Sequence, residues 1–290
     1  MISCFSRGRD RFLNGKAPDS VEPNDVSDTA RVFNPAGAGD FLIVCEHASR
    51  FIPAEFGTLG LDAAALASHI AWDPGAIEVA HELSRLLDAA LVMQGVSRLL
   101  YDCNRPPHEP SAIPAVSEIY RIPGNAGLSD AERRIRAERF YVPFRRTLSN
   151  LVDERTAAGR ETVLVTVHSF TPIYHGRRRE VEIGILHDSD PRLADAMLRA
   201  AAGGDGGHVV RRNEPYGPQD GVTHTLREHA LPRGLANVMI EIRNDLIADE
   251  HGRQMMAALV AGWLAQARRR VDTVPEEAAR LESNSMGKRR

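Results

Sequence analysis

Cysteine is scarce in this chain. Its three cysteines, Cys4, Cys45 and Cys103, are too few and too scattered for a disulfide framework or a cysteine-based zinc site. Cys45 sits inside an apolar run and reads as a small buried filler. Aromatic residues make up 6% of the 290 residues, with two tryptophans, which speaks against a stacking platform for sugars or single strands. Neither sign of charge dominates: 36 Lys and Arg stand against 39 Asp and Glu, a net charge of −3, so there is no general basic field for nucleic acid. No apolar run reaches the ~18 residues that a membrane span needs. The first residues, MISCFSRGRDRFLNGK, are basic but lack a following apolar stretch, so they do not read as a secretory signal. These absences lead to the expectation of a cytoplasmic protein whose partner is a small molecule, with no nucleic acid and no membrane. No sequence pattern speaks to oligomeric state.

What is present is 43% hydrophobic residues, enough for a sizeable core, arranged in an alternating order. Residues 1–36 have no periodicity and read as a loose lead-in, 37–270 as one folded domain, and 271–290 as a flexible tail. Within the domain, 41–45, 89–96, 162–167, 181–186, 208–211 and 238–242 have the length and composition of strands. Helical spacing marks 74–87, 191–201 and 254–269, a long charged helix over 130–157 open to interruption at Pro143, and a shorter one within 221–229. Strands alternating with helices predict an α/β domain: a mostly parallel, mixed sheet with helices on both faces. Such sheets bind ligands at the carboxyl ends of their strands.

The polar residues of interest fall at those ends. His47 and His168 each close a strand candidate, and two strand-end histidines can share a metal ion. Neither lies in a helical metal motif, so a capping role weighs about evenly against ligation. A catalytic zinc needs a third ligand. Asp73 is the choice here, with Glu46 and His69 as competitors and an ordinary helix N-cap as the plainer reading of Asp73. Glu241 interrupts the apolar strand 238–242, where an unpaired carboxylate is costly. It reads as a general base, the alternative being a buried ion pair with Arg243 or Arg98. Between the two strand-end histidines lies Arg98-Leu99-Leu100-Tyr101-Asp102-Cys103-Asn104-Arg105, stiffened by Pro106 and Pro107. Arg105 can clamp a carboxylate through two parallel hydrogen bonds, Asn104 can hold a second oxygen, and Arg98 can assist the carboxylate or an oxyanion. Asn213 and Tyr216, in a Pro-Gly turn, offer further polar contacts. The runs 177–179 and 268–270 read as solvated arginines.

In order along the chain, Val44-Cys45-Glu46-His47-Ala48-Ser49 with Ile52-Pro53, Asp73-Pro74-Gly75-Ala76, 98–105, Val167-His168-Ser169, Asn213-Glu214-Pro215-Tyr216 and Ile240-Glu241-Ile242-Arg243-Asn244-Asp245-Leu246 resemble the N-formylglutamate amidohydrolase family. The resemblance covers 41 to about 265. It implies the parallel-sheet fold of zinc carboxypeptidases and aspartoacylases, a zinc ion, and a small N-acyl amino acid as substrate. It also implies roles for residues: His47 and His168 as zinc ligands, Asn104 and Arg105 at the substrate carboxylate, and Glu241 as base. The relatives carry their zinc glutamate three residues after the first histidine, and Arg50 stands there in this chain. The third ligand stays open among Asp73, Glu46 and His69. Two other readings stand beside this one: a carboxypeptidase-like or cell-wall amidase acting on a larger substrate, and a non-catalytic binder of acidic small molecules.

Overall fold

The computed structural model describes residues 29–203 and 207–271. Strands β1 (Ala30–Phe33), β2 (Phe41–Cys45), β3 (Ala90–Gln94), β6 (Val163–Phe170), β9 (Ile183–Leu186), β10 (Val210–Arg212) and β11 (Asn237–Arg243) form one seven-stranded sheet. The remaining strands make two small hairpins: β4 (Val116–Ser117) with β5 (Tyr120–Arg121), and β7 (Ile173–Tyr174) with β8 (Arg177–Arg178). The helices are α1 (Ala63–Ala67), α2 (Ala76–Leu86), α3 (Asp130–Arg136), α4 (Val142–Ala157), α5 (Arg192–Ala202) and α6 (Glu250–Val271). The sheet order is β1-β3-β2-β6-β11-β9-β10. Its centre, β3-β2-β6-β11, is parallel. β1 is antiparallel to β3 at one edge, and β9 with β10 runs opposite to β11 at the other. The result is a single α/β domain around a mixed sheet.

The pleat sorts side chains to two cores. Phe41, Ile43 and Cys45 of β2, Val163, Val165 and Val167 of β6, and Val238, Ile240 and Ile242 of β11 join one cluster with α2, α5 and α6. Leu42, Val44, Leu164 and Met239 face the other cluster with Phe144, Leu148 and Val152 of α4. Both faces are buried, so the central strands are apolar almost throughout, and apart from Thr166 and Asn237 their polar residues stand at the carboxyl ends. By strand alternation, His168 continues the row of Leu164, and Glu241 continues the row of Met239. The two are paired in register across β6 and β11.

Several boundaries differ from the sequence reading for physical reasons. Ala30–Phe33 lies inside the expected lead-in, yet it forms the edge strand beside β3. The rest of that lead-in through residue 28, and all of the expected tail beyond residue 271, lie outside the described residues. The long helix 130–157 is indeed interrupted. Between α3 and α4 the turn Ala137–Tyr141 is a π-helix, because Pro143 has no N–H and its ring disfavours a continuous α-helical ladder. The segment Leu226–Ala230 is a π turn as well, shorter than the helix expected over 221–229 and followed closely by Pro232. Arg268 pairs with Asp40 at 3.1 Å rather than standing free in solvent.

Candidate metal centre and its cavity

The carboxyl ends of β2 and β6 deliver His47 and His168 to one point. Asp73 is brought there by the turn before α2. Its N–H donates to the His47 carbonyl at 3.0 Å, and its own carbonyl accepts from Ala76 N–H at 3.1 Å. Gly75 sits in that turn with φ +81°, and a Cβ there would lie 2.7 Å from the Ile247 carbonyl oxygen, so close packing and a left-handed backbone both call for glycine. All three side chains are buried. His47 Nδ1 lies 3.1 Å from Asp73 Oδ2, His168 Nδ1 lies 3.0 Å from the same oxygen, and the two Nδ1 atoms are 3.2 Å apart.

The far side of each imidazole faces a carboxylate. His47 Nε2 is 2.7 Å from Asp102 Oδ1, and His168 Nε2 is 3.1 Å from Glu46 Oε2. Protons placed on both Nε2 atoms leave both Nδ1 lone pairs aimed at the common point, the arrangement by which carboxylates orient metal-ligating histidines. Three lone-pair atoms that close to one another repel unless a proton or a cation lies among them. Ligand atoms held tetrahedrally ~2.0–2.1 Å from a zinc-sized ion would be about 3.3 Å apart. The donor set His47, Asp73 and His168 therefore fits a divalent ion of that kind. Of the competing ligands, Glu46 lies behind His168, and His69 pairs with Glu118 at 3.0 Å. Arg50, three residues after His47, stacks over Trp72.

The charges agree with this picture. Burial works against the protonated form of His168, but Glu46 and Asp73 outweigh it and hold its pKa well above the usual imidazole value. His47 is also raised: burial and Arg98 oppose the charge, while Asp102 and Asp73 favour it more strongly. Burial alone would raise the pKa of Asp73, yet His47, His168 and Arg98 drive it far below the ordinary carboxylate range. Asp102 behaves likewise, through Arg98 and His47.

Arg98 reaches Asp73 Oδ1 at 3.3 Å and Asp102 Oδ2 at 2.6 Å. It braces two carboxylates and also lines the cavity beside them. Glu241 is the contrast. It is buried, and its Oε2 has no hydrogen-bond partner among the described residues. Neither ion pair considered for it exists: Arg243 holds Asp245 at 2.8 Å and Glu182 at 3.2 Å, and Arg98 is engaged as above. Burial first, and then the charge of Asp73, pushes its pKa up to about 7 against the pull of His168.

A cavity of about 530 Å³ opens over this centre, lined among others by Arg98, Asn104, Arg105, Arg179, Tyr216 and Glu241. Arg105 is half-buried, with Nη1 held by the Gly221 carbonyl at 2.6 Å. Asn104 lines the cavity, and its amide is anchored at both ends. Its Nδ2 donates to the Val222 carbonyl at 2.5 Å, and its Oδ1 accepts from Thr225 N–H at 3.0 Å. It ties the Arg105 loop to segment 222–225. Asn213 is not among the lining residues; its Oδ1 accepts from His187 N–H at 2.9 Å, which corrects the expected substrate contact to a turn contact. Tyr216 does line the cavity, with its hydroxyl pushed up to about 12 by burial and by Glu241. Gly184 makes room for this turn, since a Cβ there would lie 2.1 Å from the Glu214 carbonyl oxygen.

Two participants were not singled out from sequence. Asp102 carries a signal only in its position, an acidic residue four positions after Arg98 and two before Asn104. Arg179 belongs to the run 177–179, which by composition reads as solvated. Arg177 and Arg178 are exposed, but Arg179 turns into the cavity.

The sequence profile of N-formylglutamate amidohydrolase matches residues 39–248. A crystal structure of a gene product from Agrobacterium tumefaciens is 59% identical, with 84% of this chain and 96% of that one covered and a TM-score of 0.82. The crystal structure of N-formylglutamate amidohydrolase from Ralstonia eutropha JMP134 is 18% identical, covers 83% of this chain and 97% of its own, and has a TM-score of 0.54, a likeness of fold. Among curated proteins none matches. No helix among the described residues is long and apolar enough to cross a membrane.

Proposed function

The chain belongs to the N-formylglutamate amidohydrolase family, and from that premise we propose that it hydrolyses a small N-acyl amino acid, with N-formyl-L-glutamate as the nominal substrate, in a zinc-dependent reaction. The observation that carries this reading is the meeting of His47 Nδ1, His168 Nδ1 and Asp73 Oδ2 within 3.2 Å of one another, beside the buried and unpaired Glu241. A divalent ion held by those three residues supplies Lewis-acid polarisation of the amide carbonyl and lowers the pKa of water at the site.

The chain's own residues do the rest. Glu241, buried at the strand end with Oε2 free of hydrogen bonds, takes a proton from the attacking water and returns it to the departing nitrogen as the C–N bond breaks. Arg98 keeps Asp73 and Asp102 ionised. Asp102 and Glu46 hold the two imidazoles in the tautomer that presents Nδ1. Arg105 grips the α-carboxylate with the guanidinium hydrogens that Gly221 and Asn104 leave free. The products are the free amino acid and formate, or another short acid.

The cavity volume of about 530 Å³ suits a small substrate better than a peptide or cell-wall strand. The test is turnover on a panel of N-formyl-L-glutamate, N-acetyl-L-glutamate and a dipeptide, after chelation and after zinc is restored. Zinc-dependent release of formate is expected. Zinc-loaded protein that binds glutamate but cleaves no member of the panel would instead favour the non-catalytic binder.

A further inference from the structure

The cavity holds three arginines, and they are not equivalent. Arg98 is neutralised by two carboxylates. Among the described residues, neither Arg105 nor Arg179 has an Asp or Glu within ion-pair distance. Arg105 belongs to the wall made by the loop after β3 and segment 221–225. Arg179 belongs to another wall, made by the end of β6 and the β7–β8 hairpin. Its guanidinium carbon lies 4.4 Å from the ring centre of Tyr174, 4.8 Å from that of Tyr216 and 5.4 Å from that of Phe170. Nη2 donates to the Tyr216 hydroxyl at 2.9 Å, and Nη1 lies 3.4 Å from the Thr171 carbonyl oxygen. The backbone is fixed as well: Arg179 N–H donates to the Pro172 carbonyl at 2.8 Å, and its own carbonyl accepts from Arg243 Nη1 at 3.3 Å.

Three rings and two neutral acceptors thus hold a planar, permanently charged fork without neutralising it. A guanidinium in that state is preorganised for an anion with two oxygens, and little side-chain freedom is lost when one binds. Two such cations, held on separate elements around one cavity, match a ligand that carries two carboxylates. We propose that Arg179 is a specificity-determining residue that binds a carboxylate on the side chain of the substrate's amino-acid portion, while Arg105 holds the α-carboxylate. The inference rests on the reading of the substrate as an N-acyl amino acid and adds how an acidic side chain is told from a neutral one. Tyr216 acts through Arg179, as a positioning residue for the guanidinium.

The test compares L-glutamate with L-glutamine as calorimetric ligands of the zinc-loaded protein, and N-formyl-L-glutamate with N-formyl-L-glutamine as substrates. The parent should prefer the acidic member of each pair. Arg179→Gln should weaken glutamate binding, and kcat/KM for the acidic substrate, by roughly 10–100-fold while the glutamine values move less than about twofold, the expectation for losing one charge-assisted hydrogen-bond pair. Arg179→Lys should retain part of the preference. Tyr216→Phe, which removes only the hydroxyl, should show a smaller loss confined to the acidic ligands, and it keeps the proposal open to refutation should Arg179→Gln fail to fold. An equal loss on both members of a pair, or a parent that binds both alike, overturns the proposal. A parent that cleaves neither substrate yet prefers glutamate in an Arg179-dependent way would refute the reaction and leave this inference standing.

Discussion

Four buried carboxylates lie around the candidate metal centre, three against the histidines and Glu241 on the neighbouring strand, and their surroundings push the two sets in opposite directions. On the β2–β6 side, Glu46, Asp73 and Asp102 each lie against a histidine, and Asp73 and Asp102 also touch Arg98, so all three are held below their ordinary pKa. On β11, Glu241 is as deeply buried, but its Oε2 lacks a partner and its pKa rises to about 7. Burial is the largest influence on all four; what differs is the compensation. A fixed array of ionised acids and oriented imidazoles is suited to holding a cation. A carboxylate left near neutrality is suited to moving a proton. Divided labour between neighbouring acids, set by environment rather than by residue type, is what the comparison teaches.

The comparison breaks most completely if the β2–β6 side is dismantled. His168→Ala should lose the metal and reduce turnover to background while circular dichroism stays close to that of the parent. A variant that binds metal as tightly as the parent would remove His168 from the ligand set. Asp102→Asn keeps the shape but weakens the orientation of His47, and a fall of roughly 10–100-fold in metal affinity by competitive chelation is expected for losing such a partner. Arg105→Lys lies outside both groups. It keeps the charge but loses the fork, so kcat/KM should fall about tenfold, mainly through KM, with metal content unchanged.

The smallest expected effect is on stability and carries a definite sign. Because the folded-state pKa of Glu241 lies above its ordinary value of 4.5, the native chain binds more protons than the unfolded one between 4.5 and about 7. The stability due to this group is full at low pH and is lost as pH rises through about 7. Glu241→Gln should remove that slope, so that metal-free variant melts higher than metal-free parent at alkaline pH. A variant that melts much earlier would restore the structural ion-pair reading.

Most of this architecture was legible because period and position carry it. Short apolar runs such as Phe41–Cys45, within an alternating strand–helix order, fit strands buried on both faces, and a polar residue just past such a run falls at the strand end. His47, His168 and Glu241 were visible on that ground, and Asp73 through its turn before a helix. Other features had no local signal. Ala30–Phe33 is short and only partly buried, so it looks like loop until β3 pairs with it. Arg179 is indistinguishable by composition from Arg177 and Arg178, and only the hairpin decides which of the three turns inward. Asn104 and Arg98 line the cavity, but sequence cannot say that Asn104 bonds Val222 and Thr225 or that Arg98 pairs with Asp73 and Asp102.

The central claim, that one side holds a metal ion and the other moves a proton, is tested most directly by Glu241→Gln assayed for zinc content and for kcat on N-formyl-L-glutamate in the same preparation. Zinc at the parent's level with kcat reduced roughly 10²–10⁴-fold is the predicted result, the range for losing a positioned acid–base group. Parent-like turnover, or turnover lost only because zinc is lost with it, would contradict the division between the two sides.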